Sequence, residues 1–175
     1  MTLSIAMVGC SVRNQESSRQ TKVEDLLASM TLEEKVGQMT QIDFSVIAGQ
    51  GDELIDQEKL TNAILNHHVG SILNTPNNKA QSVEDWRKII HTINTVSEKS
   101  RLKIPVLYGI DAIHGASYTK NSTLFPQAIN MAATFNPELS VKEGEITAQE
   151  IRVSGLQWNF SPVMDIGRQP LWAFK

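Results

Sequence analysis

A single cysteine, Cys10, occurs in the 175 residues, so no intramolecular disulfide can staple the fold and the cysteine count leaves the redox compartment open. Positive charge is not in excess: 16 Lys and Arg against 19 Asp and Glu give a net charge of −3. The basic residues are scattered, which offers no stripe for a phosphate backbone and argues against a nucleic-acid partner. Neither a Gly-x-Gly-x-x-Gly pattern nor a P-loop follows any apolar run, so the common nucleotide cradles are missing. What is present is 41% hydrophobic and 20% charged, the composition of a soluble globular chain with material for one sizeable core.

The N-terminus reads separately. Thr2 to Gly9 is a short apolar run ending at Cys10, far below the roughly 20 residues that span a bilayer. A small residue before a cysteine, after an apolar stretch, resembles a bacterial lipoprotein signal whose cysteine takes up lipid, although the basic leader is missing. Residues 1–20 are therefore read as a tail or the remnant of such a signal, with a lipid anchor at Cys10 and a periplasmic or outer-membrane-anchored location as the expectation. Residues 21–175 form the folded part.

Along that part, Val23, Leu26 and Leu27 recur at helical spacing, and Thr31-Leu32-Glu33-Glu34 predicts a capping box opening a second helix with Leu32, Val36 and Met39 as its apolar face. A helix is expected from Asp56 to His68 and a strand at Val69 to Leu73. Ser82 and Asp85 predict another cap, with Trp86, Ile89, Ile90 and Ile93 on one face. Ile104 to Ile110 reads as a strand buried on both sides. Asn136-Pro137 opens a helix that runs to about Val153 and stops at Gly155, and Leu156 to Ile166 reads as a further strand. Helices alternating with strands imply a parallel sheet, and the missing nucleotide motifs favour a (β/α)₈ barrel over a doubly wound sheet. A whole barrel takes about 250 residues, so only its N-terminal portion, three or four βα units, is expected. In such an incomplete α/β barrel, strand edges and the face of the Trp86 helix should be partly uncovered.

Reacting groups in a barrel lie just past the C-terminal ends of its strands, which directs attention to Tyr108-Gly109-Ile110-Asp111-Ala112-Ile113-His114-Gly115 and to Asn159-Phe160-Ser161-Pro162-Val163-Met164-Asp165-Ile166-Gly167-Arg168. Asp111 at a strand end, with His-Gly three residues on, can orient sugar hydroxyls, bind a metal, or cap the loop. His67 and His68 have no metal-ligand spacing. Trp158 and Trp172 are candidate sugar platforms, although tryptophans more often pack.

Several segments together resemble family 3 glycoside hydrolases of the β-glucosidase type: Val23 to Met39, Gly109 to Gly115, Phe125-Pro126-Gln127, Ala132 to Pro137, and Asn159 to Ile166, in the family's order and spacing over about residues 22–172. The resemblance implies a (β/α)₈ barrel followed by an α/β sandwich domain, hydrolysis of terminal β-D-glucosidic bonds with retention, and no metal or cofactor. It further implies that Asp111 binds hydroxyls of the sugar in the first subsite and that Arg168 contacts the same ring; His114 is read as supporting the loop beside Asp111 rather than acting as a base. The family's nucleophile and acid/base fall beyond Lys175, so no catalytic residue is expected here. The chain reads as a truncated piece, inactive alone, and Asp165 as structural. The resemblance weakens at the end, where the family's Arg-Asp-Pro-Arg-Trp-Gly-Arg is replaced by Arg168-Gln169-Pro170-Leu171-Trp172-Ala173-Phe174-Lys175. The alternatives are a β-xylosidase of the same family, against which Asp111 in place of a glutamate argues, and a non-catalytic remnant that is inert or binds carbohydrate weakly.

Overall fold

The computed structural model describes residues 19–51 and 53–164; Cys10, Asp165, Arg168 and Trp172 lie outside them. A helix over residues 19–29 (α1) leads into α2 (Leu32–Gln38), β1 (Gln41–Asp43), α3 (Gln57–Thr61), β2 (Ser71–Leu73), α4 (Val83–Ser97), β3 (Leu107–Ile110), α5 (Ala128–Ala132), α6 (Pro137–Val153) and β4 (Trp158–Asn159). The strands form a parallel sheet in the order β1-β2-β3-β4. Each strand is thus added beside the preceding one without the reversal that defines a doubly wound sheet. This is the α/β arrangement of the first units of a (β/α)₈ barrel.

Register and burial identify the two faces of the sheet. Ile72 pairs with Tyr108 and Ile110 with Asn159, and Ile72, Tyr108 and Ile110 are buried. The Tyr108 ring meets Trp86 of α4 edge-on, with centroids 5.5 Å apart at 70°, so this face carries the helices. Alternation puts Gln41, Asp43, Leu73, Leu107, Gly109 and Trp158 on the other face. There Leu107 and Trp158 remain largely exposed.

Contrary to the expectation of an uncovered face on α4, Trp86, Ile89, Ile90 and Ile93 are all buried. They belong to one cluster with Leu60, Ile64, Val106, Tyr108, Ile151 and Leu156, contributed by the elements before and after α4. Each large side chain withdrawn from water in this way contributes roughly 1.5–3 kcal/mol. Ser82 caps α4 by accepting the Asp85 amide at 3.1 Å, and Asn136 caps α6 through the Glu138 amide at 3.0 Å.

The expected orientation of α2 is wrong. Its capping box is present, with Thr31 Oγ1 accepting the Glu34 amide at 3.2 Å and Glu34 accepting the Thr31 amide at 2.9 Å. Yet Leu32, Val36 and Met39 are 72%, 57% and 87% exposed. The buried residues are Glu34 and Gly37, because Arg101 ties down the first and the backbone of residues 67–68 lies against the second. The long helix expected from Asp56 to His68 is also modified: after Thr61 it widens into a π turn over Asn62–Asn66. The chain then doubles back so closely that a Cβ on Gly70 would lie 2.1 Å from the Gln38 carbonyl oxygen. Only glycine permits that approach.

Glu34 is the ionic anchor of this corner. Arg101 donates from Nε at 2.9 Å and from Nη2 to the two carboxylate oxygens, and also from Nη2 to the Ser29 carbonyl at 2.9 Å. The Arg101 guanidinium, followed by the Thr31 amide, holds the Glu34 carboxyl down to about 2 from an ordinary 4.5. An unfolded chain takes up that proton near 4.5 and the folded one only near 2, so the stabilisation is complete above about 4.5 and lost as the pH falls toward about 2. Glu34→Gln should therefore show a flatter fall of the urea midpoint over this window than the unaltered chain. Parallel curves for the two proteins would contradict the assignment.

Candidate functional site

The C-terminal ends of the four strands gather polar groups along one edge of the sheet. β1 ends at Asp43, whose Oδ1 accepts the Ser45 amide at 2.8 Å and whose Oδ2 accepts from the Asn74 side chain. Hydrogen bonds from Ser45, side chain and then backbone, hold the Asp43 carboxyl below the usual carboxylate range. Asn74, just past β2, in turn accepts the Tyr108 hydroxyl on its carbonyl at 2.6 Å. Burial pushes the Tyr108 phenol well above its ordinary range, and the Asp43 charge pushes it further. A polar line thus crosses the strand ends from β3 to β1.

β3 ends at Ile110, and Asp111 follows directly, half-buried. Among the described residues, no hydrogen bond or ion pair engages its carboxylate. The loop behind it is held on every side. Trp86 Nε1 donates to the Tyr118 carbonyl at 3.1 Å, and the Gln81 and Lys120 amides exchange bonds with Tyr118 and Gln81 at 3.0 and 2.7 Å. Thr119 and Ser154 hydroxyls meet at 3.3 Å in the interior. Glu150 of α6 accepts the Thr123 amide at 3.0 Å and the Thr123 hydroxyl at 2.9 Å. Gly115 makes the close turn of this loop, with φ +102° and the Thr123 carbonyl oxygen only 2.1 Å from where a Cβ would be.

His114 belongs to the same loop. Its Nδ1 lies 3.2 Å from the Phe125 carbonyl oxygen, and the Phe125 amide returns a bond to the His114 carbonyl at 2.9 Å. A carbonyl only accepts, so the ring donates from Nδ1 in this contact. Asp111 and His114 are therefore brought together on one braced loop, whereas Arg168 lies outside the described residues. Trp158 starts β4 and packs edge-on against Phe160 at 4.8 Å. It lines a depression with Met39, Gly70, Pro105 and Leu107 at the N-terminal ends of the strands, away from Asp111. His67 is exposed and His68 half-buried, and no group of three potential metal ligands occurs among the described residues.

Residues 31–175 match the model of the glycosyl hydrolase family 3 N-terminal domain. The chain belongs to this family. The family 3 chain is 38% identical over 91% of its length to a lysosomal β-glucosidase of Dictyostelium discoideum, of which it covers 20%. It is 30% identical over 89% of its length to a periplasmic β-glucosidase of Salmonella typhimurium, covering 18% of that protein. Among solved structures, it is similar to a β-glucosidase from Listeria innocua in complex with isofagomine, with a TM-score of 0.61 and 29% identity over 87% of this chain and 19% of that one. The family 3 chain thus spans about a fifth of the length of the curated relatives it matches.

Two residues of the site were not picked out by motif reading. Glu150 sits inside α6 and holds Thr123, 27 positions away, and Asn159 of β4 accepts the Ala112 amide, 47 positions away; no local pattern carries either contact. Glu150 gives the first test of the braced loop. Bonds to a charged acceptor are worth about 1.5–3 kcal/mol each when shielded, and their exposed position here reduces the pair to about 1–2 kcal/mol in all. Glu150→Ala should accordingly speed hydrogen exchange at the Thr123 amide roughly tenfold, with Glu150→Gln in between. An unchanged rate in Glu150→Ala would show that the loop does not depend on this clamp.

Proposed function

We propose that this family 3 segment works as the leading part of the barrel of a retaining β-glucosidase, in which Asp111 binds hydroxyls of a terminal β-D-glucosyl unit. The observation that carries the reading is a carboxylate unengaged by any described residue at the C-terminal end of β3, on a loop whose backbone is held by Trp86, Gln81 and Glu150 and whose Thr119 hydroxyl meets Ser154. A carboxylate accepts two hydroxyl protons in charge-assisted bonds, and a fixed backbone keeps that geometry ready before the sugar arrives. In this reading Arg168 contacts the same ring, His114 keeps the loop beside Asp111 in shape through Phe125, and the nucleophile and acid/base come from other parts of the enzyme. The β-glucosidase names of the Dictyostelium, Salmonella and Listeria proteins support the substrate class.

Hydrogen bonds to sugar hydroxyls tighten as the ring flattens toward the oxocarbenium-like transition state. In the full-length gene product, Asp111→Ala should lower kcat/KM for an aryl β-glucoside by a factor on the order of 10² to 10⁴ at an unchanged melting temperature. Asp111→Asn should recover part of it, since one acceptor remains without the charge. Near-normal activity of Asp111→Ala would refute the role, and a preference of the unaltered enzyme for an aryl β-xyloside would favour the xylosidase alternative.

The reading extends to location: export to the bacterial periplasm with lipid on Cys10 is supported by the run ahead of that residue and by the periplasmic name of the Salmonella relative. No helix among the described residues is long and apolar enough to cross a membrane. Expression in a bacterium fed labelled palmitate should mark the protein and leave Cys10→Ser unmarked; an unmarked Cys10 protein would remove the anchor.

A further inference from the structure

We propose that Asn159 is a positioning residue that aims the Asp111 carboxylate by holding the strand-end loops of β3 and β4 on one oxygen atom. The proposal rests on the β-glucosidase reading given above. Asn159 is the last residue of β4 and stands in register with Ile110. Its Oδ1 accepts the Ala112 amide at 3.1 Å and the Ser161 amide at 3.2 Å. Ala112 immediately follows Asp111, so fixing its N–H fixes the plane of the Asp111–Ala112 peptide and with it the direction in which the Asp111 side chain leaves the backbone. Ser161 opens the segment that continues from β4 toward Arg168. Between the two, the Phe160 amide donates to the Ile110 carbonyl at 3.0 Å, so the side-chain bonds extend the β3–β4 ladder just past the end of β4.

The chemistry at this position asks only for an acceptor. Both contacts are made by Oδ1, and no described residue takes a bond from Nδ2. Ala112 is buried, so water cannot readily replace the lost partner of its amide. An aspartate at 159 would present the same two contacts, whereas an alanine would present neither.

The test uses the full-length gene product, with aryl β-glucoside turnover, thermal melting and amide exchange of peptides spanning Ala112 and Ser161. Asn159→Ala should lower kcat/KM on the order of 10- to 100-fold, mainly through kcat because the misdirected carboxylate costs most in the transition state, and should speed exchange at both amides. Asn159→Asp should restore most of the turnover and the protection. Wild-type kcat in Asn159→Ala overturns the proposal, as does an Asn159→Asp enzyme that melts normally yet turns over no better than Asn159→Ala. Should Asn159→Ala fail to fold, the unaltered enzyme decides: unprotected Ala112 and Ser161 amides overturn the proposal, and protected amides with an active Asn159→Asp uphold it. An unaltered enzyme without β-glucosidase activity sinks the functional reading itself, whereas an active one indifferent to Asn159→Ala sinks the positioning role alone.

Discussion

The edge-on contact between Trp86 and Tyr108 is the constraint on which the remainder of the structure rests. Both rings are fully buried, and each carries one polar atom that must find a partner inside the protein. Trp86 finds it in the carbonyl of Tyr118, and Tyr108 in the carbonyl of Asn74. The same pair that joins α4 to β3 therefore also fixes the loop after β3 and the turn after β2. Packing and site geometry are one arrangement here, since neither ring can shift without moving a strand-end loop.

Among the described residues at the strand ends, most carboxylate and amide side chains are tied to their own chain, whereas the Asp111 carboxylate is not. Asp43, Asn74, His114, Glu150 and Asn159 each commit at least one side-chain atom to a hydrogen bond within the protein. Asp111 stands among them with its carboxylate unengaged by any described residue. Such a contrast is what a binding site requires, because a polar group already satisfied by its own chain has little to gain from a ligand, while a fixed but unsatisfied one gains most.

Much of this was legible beforehand, and the reasons differ by element. The caps at Thr31, Ser82 and Asn136 are local chemistry, readable within four residues. The Trp86 face follows from helical periodicity, and Asp111 from its place after a buried apolar run. Periodicity misled at α2, because Leu32, Val36 and Met39 form a regular apolar row although the Arg101 guanidinium and the backbone of residues 67–68 draw the opposite side inward. It also overran at Asn62–Asn66, where nothing local signals a wider turn, and missed the five residues of α5. Asn159 was within view as part of a motif, yet its bond to Ala112 spans 47 positions.

The sheet order has a consequence for how the chain comes into being. Among the described residues, each strand after β1 pairs with the one made just before it, so each βα unit finds its docking surface already present when it emerges from the ribosome. None of β2, β3 and β4 has to wait for a later strand before it has a neighbour. The order of synthesis and the order of assembly can then coincide, with the Trp86–Tyr108 contact forming once β3 has been translated and the loop that bears Asp111 setting only after α6 supplies Glu150 and its C-terminal cap supplies Ser154.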